Sequence, residues 1–120
     1  MRLGMLGALL AAVAVAAGAF GAHGLSGRLG APALSAFETA ARYQLIHSIA
    51  IILAGERATR STSRAAEIAG NIFIAGIVLF SGSLYARALG GPEALAMMTP
   101  FGGLTFMTGW VVLALSYGGR

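Results

Sequence analysis

Few side chains in this chain could do chemistry, because 58% of its residues are apolar and only 10% are charged. The candidates are His23, Tyr43, Gln44, His47, Ser81, Ser83 and Tyr85. Imidazoles and hydroxyls in one region offer a Ser–His or Tyr–His pair, but such a pair also needs a group that orients the imidazole. Glu38, the carboxylate on the same segment, falls on the side away from His47. Imidazole with thioether, from His23, His47, Met97 and Met98, is a donor set that suits Cu(I). No His–His or His–Met pair among them is close in sequence, and methionine commonly fills apolar gaps. The absence of cysteine excludes a disulfide, a thiolate metal site and a cysteine nucleophile. The expectation is a polar cluster with no catalytic residue, no resident metal and no cofactor.

The elements that must position this cluster are membrane-length. A helix crossing the hydrocarbon core takes about 20 apolar residues. Leu3 to Ala22, Ile68 to Ala86 and Ala94 to Gly119 are uncharged throughout, while Leu34 to Ala54 contains Glu38 and Arg42 near one end. Spans at about residues 3–23, 34–54, 67–88 and 99–117 use the whole chain, so residues 1–120 read as a single transmembrane domain. The expected fold is all-α, an integral membrane four-helix bundle. A second reading of the N-terminus treats Met1-Arg2, the apolar run and the small residues Ala17, Ala19 and Ala22 as a signal peptide. It would leave an odd number of spans.

Orientation follows from arginine, since the chain has no lysine. Four spans put both termini and the middle loop on one side, with Arg2, Arg57, Arg60, Arg64 and Arg120; the other side holds Arg28, Arg42 and Arg87. An excess of positive charge in short loops marks the cytoplasm. This places both termini and the Gly55–Ala66 loop inside, with Ser61, Thr62 and Ser63 as a solvated turn and helix start. The scattered arginines form no aromatic-studded patch, which excludes nucleic acid as a partner.

Folded up and down, the four spans bring nearly every polar residue into the outer half of the membrane. Ala36, Ala40, Tyr43, His47, Ala50 and Ala54 share one face of the second span, expected to point inward, and Leu45, Ile49, Ile52 and Leu53 the other. Ser81 and Tyr85 share a face of the third span above Ile74 and Val78. The first span, rich in glycine and alanine, reads as the bundle interior.

Each residue also has a structural reading. His23 caps carbonyls at a helix end or lies among headgroups. His47 is an ionisable group at depth, a functional-site hypothesis by default, yet a neutral imidazole bonded to Ser81, Tyr85 or a carbonyl is equally a structural solution. Tyr85 also fits an interfacial belt. Ser81 and Ser83 can bond to their own helix. Glu38 and Arg42 have the spacing of an i,i+4 pair. Trp110 reads as packed on lipid or a neighbouring subunit.

The strings GAFGAHGL, FETAARYQLIHS, LFSGSLY and TPFGG followed by GW, in that order, resemble the domain of unknown function family 423. The resemblance covers essentially the whole chain. It implies a small four-span membrane protein with relatives in bacteria and mitochondria, and supplies no reaction. Together these readings lead to an expected multi-pass protein of the bacterial inner membrane. Its partners are the lipid bilayer and either another membrane protein or further copies of itself. Two functions follow: a non-catalytic accessory or assembly component of a membrane complex, or an oligomeric carrier or pore for a small solute, ion or proton entered through the outer polar cluster.

Overall fold

The computed structural model describes residues 2–118 and is helical almost throughout. Arg120 and Gly119, used above for orientation and span length, lie outside the described residues. We label the long helical stretches in chain order: α1, Arg2–Leu25; α2, Ala31–Arg60; α3, Arg64–Ala88; and α4, Glu93–Gly118. Three of them, α1, α3 and α4, are long and apolar enough to cross a membrane. The longest, α2, has 30 residues and carries charges at Glu38, Arg42, Glu56, Arg57 and Arg60.

The stops between helices are written locally. Gly27, with φ of 89°, turns the chain after α1, and Pro32 sits in the first turn of α2, where its missing N–H has no intrahelical partner to lose. The Ser63 hydroxyl accepts from the Ala66 N–H and caps α3. Gly90, with φ of 101°, ends α3. Its N–H donates to the Arg87 carbonyl and that of Gly91 to the Ala86 carbonyl, a paired closure that satisfies the last carbonyls. The expected Gly55–Ala66 loop is shorter than its sequence suggested. α2 runs on to Arg60, because nothing between Gly55 and Arg60 breaks a helix, and only Ser61–Ser63 turn.

Neighbouring helices run antiparallel, and glycines show where they touch. A side chain at Gly7 would meet the Ser48 carbonyl oxygen at 2.8 Å, fixing α1 on α2. Gly70 of α3 receives the Leu3 side chain of α1 and faces Ala54 of α2. On α4, a side chain at Gly102 would strike the backbone of Phe80, with the Phe80 Cα at 2.7 Å, and Gly109 seats the Phe73 ring. Small residues replace the hydrophobic drive that lipid removes, letting backbones close on one another. The main core lies between α2, α3 and α4, around Ile51, Ala54, Ala69, Phe73 and Phe106. The molecule measures 51 × 26 × 18 Å.

Two expectations are overturned here. α1 is not the interior of the bundle: Met5, Leu9, Val13 and Val15 are exposed, and it packs chiefly along α2. Its small residues serve one contact line, and the rest of its surface is left for lipid. Val78 does not lie beneath Ser81 and Tyr85. Ile77–Ser81 form a π turn, closed by the Gly82 N–H on the Ile77 carbonyl, so one extra residue enters the helix and Val78 swings out to 63% exposure.

The Gly102 contact sets a test. Adding a methyl group against fixed backbone costs about 1–3 kcal/mol, more than the roughly 1 kcal/mol gained when alanine replaces glycine in a helix. Gly102→Ala is expected to lower the thermal midpoint in detergent, read by circular dichroism. Gly103→Ala next to it, whose new carbon meets nothing within 4 Å, is expected to leave it unchanged or raise it.

Candidate functional site

Among the described residues five polar side chains are buried: Gln44, His47 and Ser48 on α2, Ser81 and Ser83 on α3. Gln44, only 3% exposed, is the hub. Its Nε2 donates to the Leu10 carbonyl of α1 at 2.9 Å, and its Oε1 accepts from the Tyr85 hydroxyl of α3 at 2.7 Å, so one amide joins three helices. The Tyr85 ring meets Phe37 edge-on at 5.0 Å. One turn below, the Ser48 hydroxyl donates to the Gln44 carbonyl. The Ser81 hydroxyl crosses to the Ala40 carbonyl at 2.8 Å, because the π turn aims it at α2. Ser83 shares a 2.6 Å hydroxyl contact with Thr99 at the start of α4.

His47 is held on every side. Its Nδ1 lies 2.8 Å from the Tyr43 carbonyl, and its Nε2 lies 3.0 Å from the Trp110 indole nitrogen. A carbonyl only accepts and an indole N–H only donates. Both contacts are therefore satisfied by one species, the neutral ring with its proton on Nδ1. Phe106 stacks on the ring at 3.6 Å and 7°, and Phe73 closes it from α3. The backbone carbonyl expected as a partner is present. Trp110 is the partner that sequence reasoning missed, since a tryptophan late in a span reads first as a lipid or interface residue.

Not every predicted site residue joins this network. His23 is exposed in the π turn Gly21–Leu25 and makes no side-chain hydrogen bond among the described residues, so it caps no carbonyl. Tyr43 is 38% exposed, and the inward face of α2 is centred nearer Gln44, about one residue's rotation from the one expected. Its ring lies over Phe80 at 4.8 Å. Glu38 and Arg42 form no ion pair; at the same spacing, Glu56 and Arg60 do, at 3.1 Å. An exposed i,i+4 pair is worth a few tenths of a kcal/mol, too little to fix two long side chains. Arg42 lines the neighbouring cleft together with His47.

That cleft, of about 450 Å³, opens sideways between α2 and α4. Arg42 stands at it, Tyr43, Phe80, Phe106 and Trp110 give it aromatic walls, and Gly103 leaves room in it. At the opposite end of the molecule, Arg57 of α2 donates to the Ser116 carbonyl of α4 at 2.6 Å and lies 4.1 Å over the Tyr117 ring. No cluster of three metal-binding side chains of the His, Cys, Asp and Glu types occurs among the described residues.

A small all-helical protein with three membrane-length helices and a polar network knitting its helices together is the class these features define. Residues 17–103 match the family described as protein of unknown function (DUF423), and the chain belongs to it. Its relatives are named as membrane proteins. It is 43% identical to the UPF0382 membrane protein of Haemophilus influenzae over 86 residues, 72% of this chain and 68% of that one. It is 36% identical to YwdK of Bacillus subtilis over 91 residues, 75% and 74% of the two chains. It is 37% identical to the inner membrane protein YgdD of Escherichia coli over 85 residues, 71% and 65%. No solved structure matches significantly. The chain is a multi-pass protein of the bacterial inner membrane, in contact with the lipid bilayer. The matched stretch contains Gln44, His47, Ser81 and Tyr85 and ends before Phe106 and Trp110.

Two substitutions measure the network. Hydrogen bonds between membrane helices average about 0.6 kcal/mol and reach about 1.7 kcal/mol. Trp110→Phe removes one such bond and Gln44→Leu two, so the loss of stability is expected to be larger for Gln44→Leu. Nitrogen-15 NMR of the imidazole is expected to show Nδ1 protonated and Nε2 bare, with the Nε2 signal moving in Trp110→Phe.

Proposed function

We propose that this protein is a non-catalytic, four-span component of a larger membrane assembly, with both termini in the cytoplasm and residues 1–120 acting as one domain. The observation that carries the non-catalytic reading is where the polar groups point. Gln44, Ser81, Ser83, Tyr85 and Trp110 each bond to another helix, and His47 has both nitrogens engaged. A site for turnover needs a group free to exchange protons or attack, and a conduit needs polar groups turned towards a path. Here they stitch the helices.

The crossing of α2 is supported by its length, about 45 Å at 1.5 Å per residue, and by its antiparallel packing against α1 and α3. Orientation is supported by charge: Arg2, Arg57, Arg60 and Arg64 gather at one end, where Gly55 also meets Leu3 and Arg57 holds the end of α4. Arg28, Arg42 and Arg87 lie in the other half. The stronger basic end belongs in the cytoplasm.

Native mass spectrometry of the protein released from its own membranes in mild detergent is expected to show a stable complex with a different membrane protein. A bare monomer would sink the assembly reading. A homo-oligomer that loses solute or proton flux in liposomes on His47→Ala, while staying folded and inserted, would install the carrier reading in its place. Orientation is tested separately on the cysteine-free background. In spheroplasts, Ser26→Cys and Leu89→Cys are expected to react with an impermeant maleimide, and Thr59→Cys only after permeabilisation.

A further inference from the structure

The cleft between α2 and α4 holds the one charged side chain at this site that the helix-to-helix network leaves unused. Arg42 is exposed, lines the cleft, and makes no ion pair or side-chain hydrogen bond among the described residues. It lies five residues before His47, about 7.5 Å up the helix axis at 1.5 Å per residue. No acidic side chain lines the cleft. Glu38, one turn further along α2, is the nearest carboxylate in sequence; with Arg42 it borders a separate groove against α1, and the two do not pair.

Below the guanidinium the lining is mostly apolar, and the one imidazole in it, His47, has both nitrogens engaged. Tyr43, Phe80, Phe106 and Trp110 line the cleft, Met107 adds a pliant thioether, and Gly103 leaves a recess where a side chain would meet nothing within 4 Å. Its volume of about 450 Å³ lies within the usual range of small-ligand sites, roughly 300–1,000 Å³. An unpaired cation within a membrane span is costly unless it reaches the interface or takes a counter-charge. Guanidinium offers a fork of donors that matches a phosphate group.

The geometry points to a binding site for an anionic phospholipid, with its phosphate on Arg42 and an acyl chain lying along Tyr43, Phe80 and Trp110 in the recess left by Gly103. Charge complementarity selects this occupant. A guanidinium whose stem reaches up to the interface meets the phosphate of an anionic lipid at headgroup level, and the lipid's apolar chain lies directly below it along the cleft. The site stands whether or not the chain has a protein partner.

Trp110 is the sole tryptophan of the chain and lines the cleft, so its fluorescence reports occupancy directly. The full-length protein is placed in bilayers containing phosphatidylglycerol or phosphatidylcholine with brominated acyl chains, and quenching is followed against mole fraction. The expected result is a roughly fivefold preference for the brominated phosphatidylglycerol, the scale of one cation–anion contact at a membrane. Arg42→Gln is expected to abolish the preference. Gly103→Leu fills the recess, keeps every charge, and is expected to lower quenching by the anionic lipid to the level of the zwitterionic one. It carries the test if Arg42→Gln fails to insert. Equal quenching of the wild type by both lipids overturns the proposal, as does a preference that survives Gly103→Leu. Weak quenching by both that falls further as the protein-to-lipid ratio rises would mean that a second copy fills the cleft, and also overturns it.

Discussion

Inside a bilayer there is no water to accept an abandoned hydrogen bond, and a buried amide, hydroxyl or imidazole without a partner costs several kcal/mol. α2 brings Gln44, His47 and Ser48 into the buried middle of this molecule. Each must find its partner on the chain. Gln44 needs a carbonyl on one side and a donor on the other, and obtains them from α1 and α3. His47 needs an acceptor at Nδ1 and a donor at Nε2, and obtains them from its own preceding turn and from α4. Few placements of α1, α3 and α4 around α2 meet all of these demands at once. Apolar packing brings the helices together; these bonds choose the register at which they stop.

The same demand accounts for the π turn in α3. The extra residue at Ile77–Ser81 rotates everything after it relative to the buried face of Ala66, Ala69, Phe73 and Ile77. Ser81 then meets the Ala40 carbonyl, while Val78, at the start of the turn, faces lipid. Irregular backbone here is a means of aiming side chains. In α3 it lies beside the polar network, whereas the π turn Gly21–Leu25 at the end of α1 does not.

Much of this was legible in the sequence. Uninterrupted apolar runs marked α1, α3 and α4, and the polar residues that break the pattern in α2 and α3 marked the network, including Gln44, His47, Ser81, Ser83 and Tyr85. What could not be read has physical reasons. The string IVLFS has no local signature of a π turn, and the bond that accompanies the turn reaches another helix, 41 residues away in sequence. Trp110 reads alone as an interface residue, and only the position of His47 across the gap turns its N–H inward. The inward face of α2 was placed about one residue off, on Tyr43 rather than Gln44, since alanines lie on both candidate faces and the choice rests on what α1 and α3 offer. The first span was rich in small residues, but composition cannot say whether such residues line one contact or a whole core.

The bond between Trp110 and His47 joins residues 63 positions apart. A ribosome adds about 5–20 residues each second. For some seconds after α2 enters the membrane, the imidazole has one nitrogen satisfied and the other bare. Gln44 waits less, because Leu10 is already made and Tyr85 follows 41 residues later. The first two helices can thus settle as a hairpin while the chain is still growing. The histidine marks the last step: it is fully bonded only when the final helix has arrived, in the right orientation, with its indole facing inward.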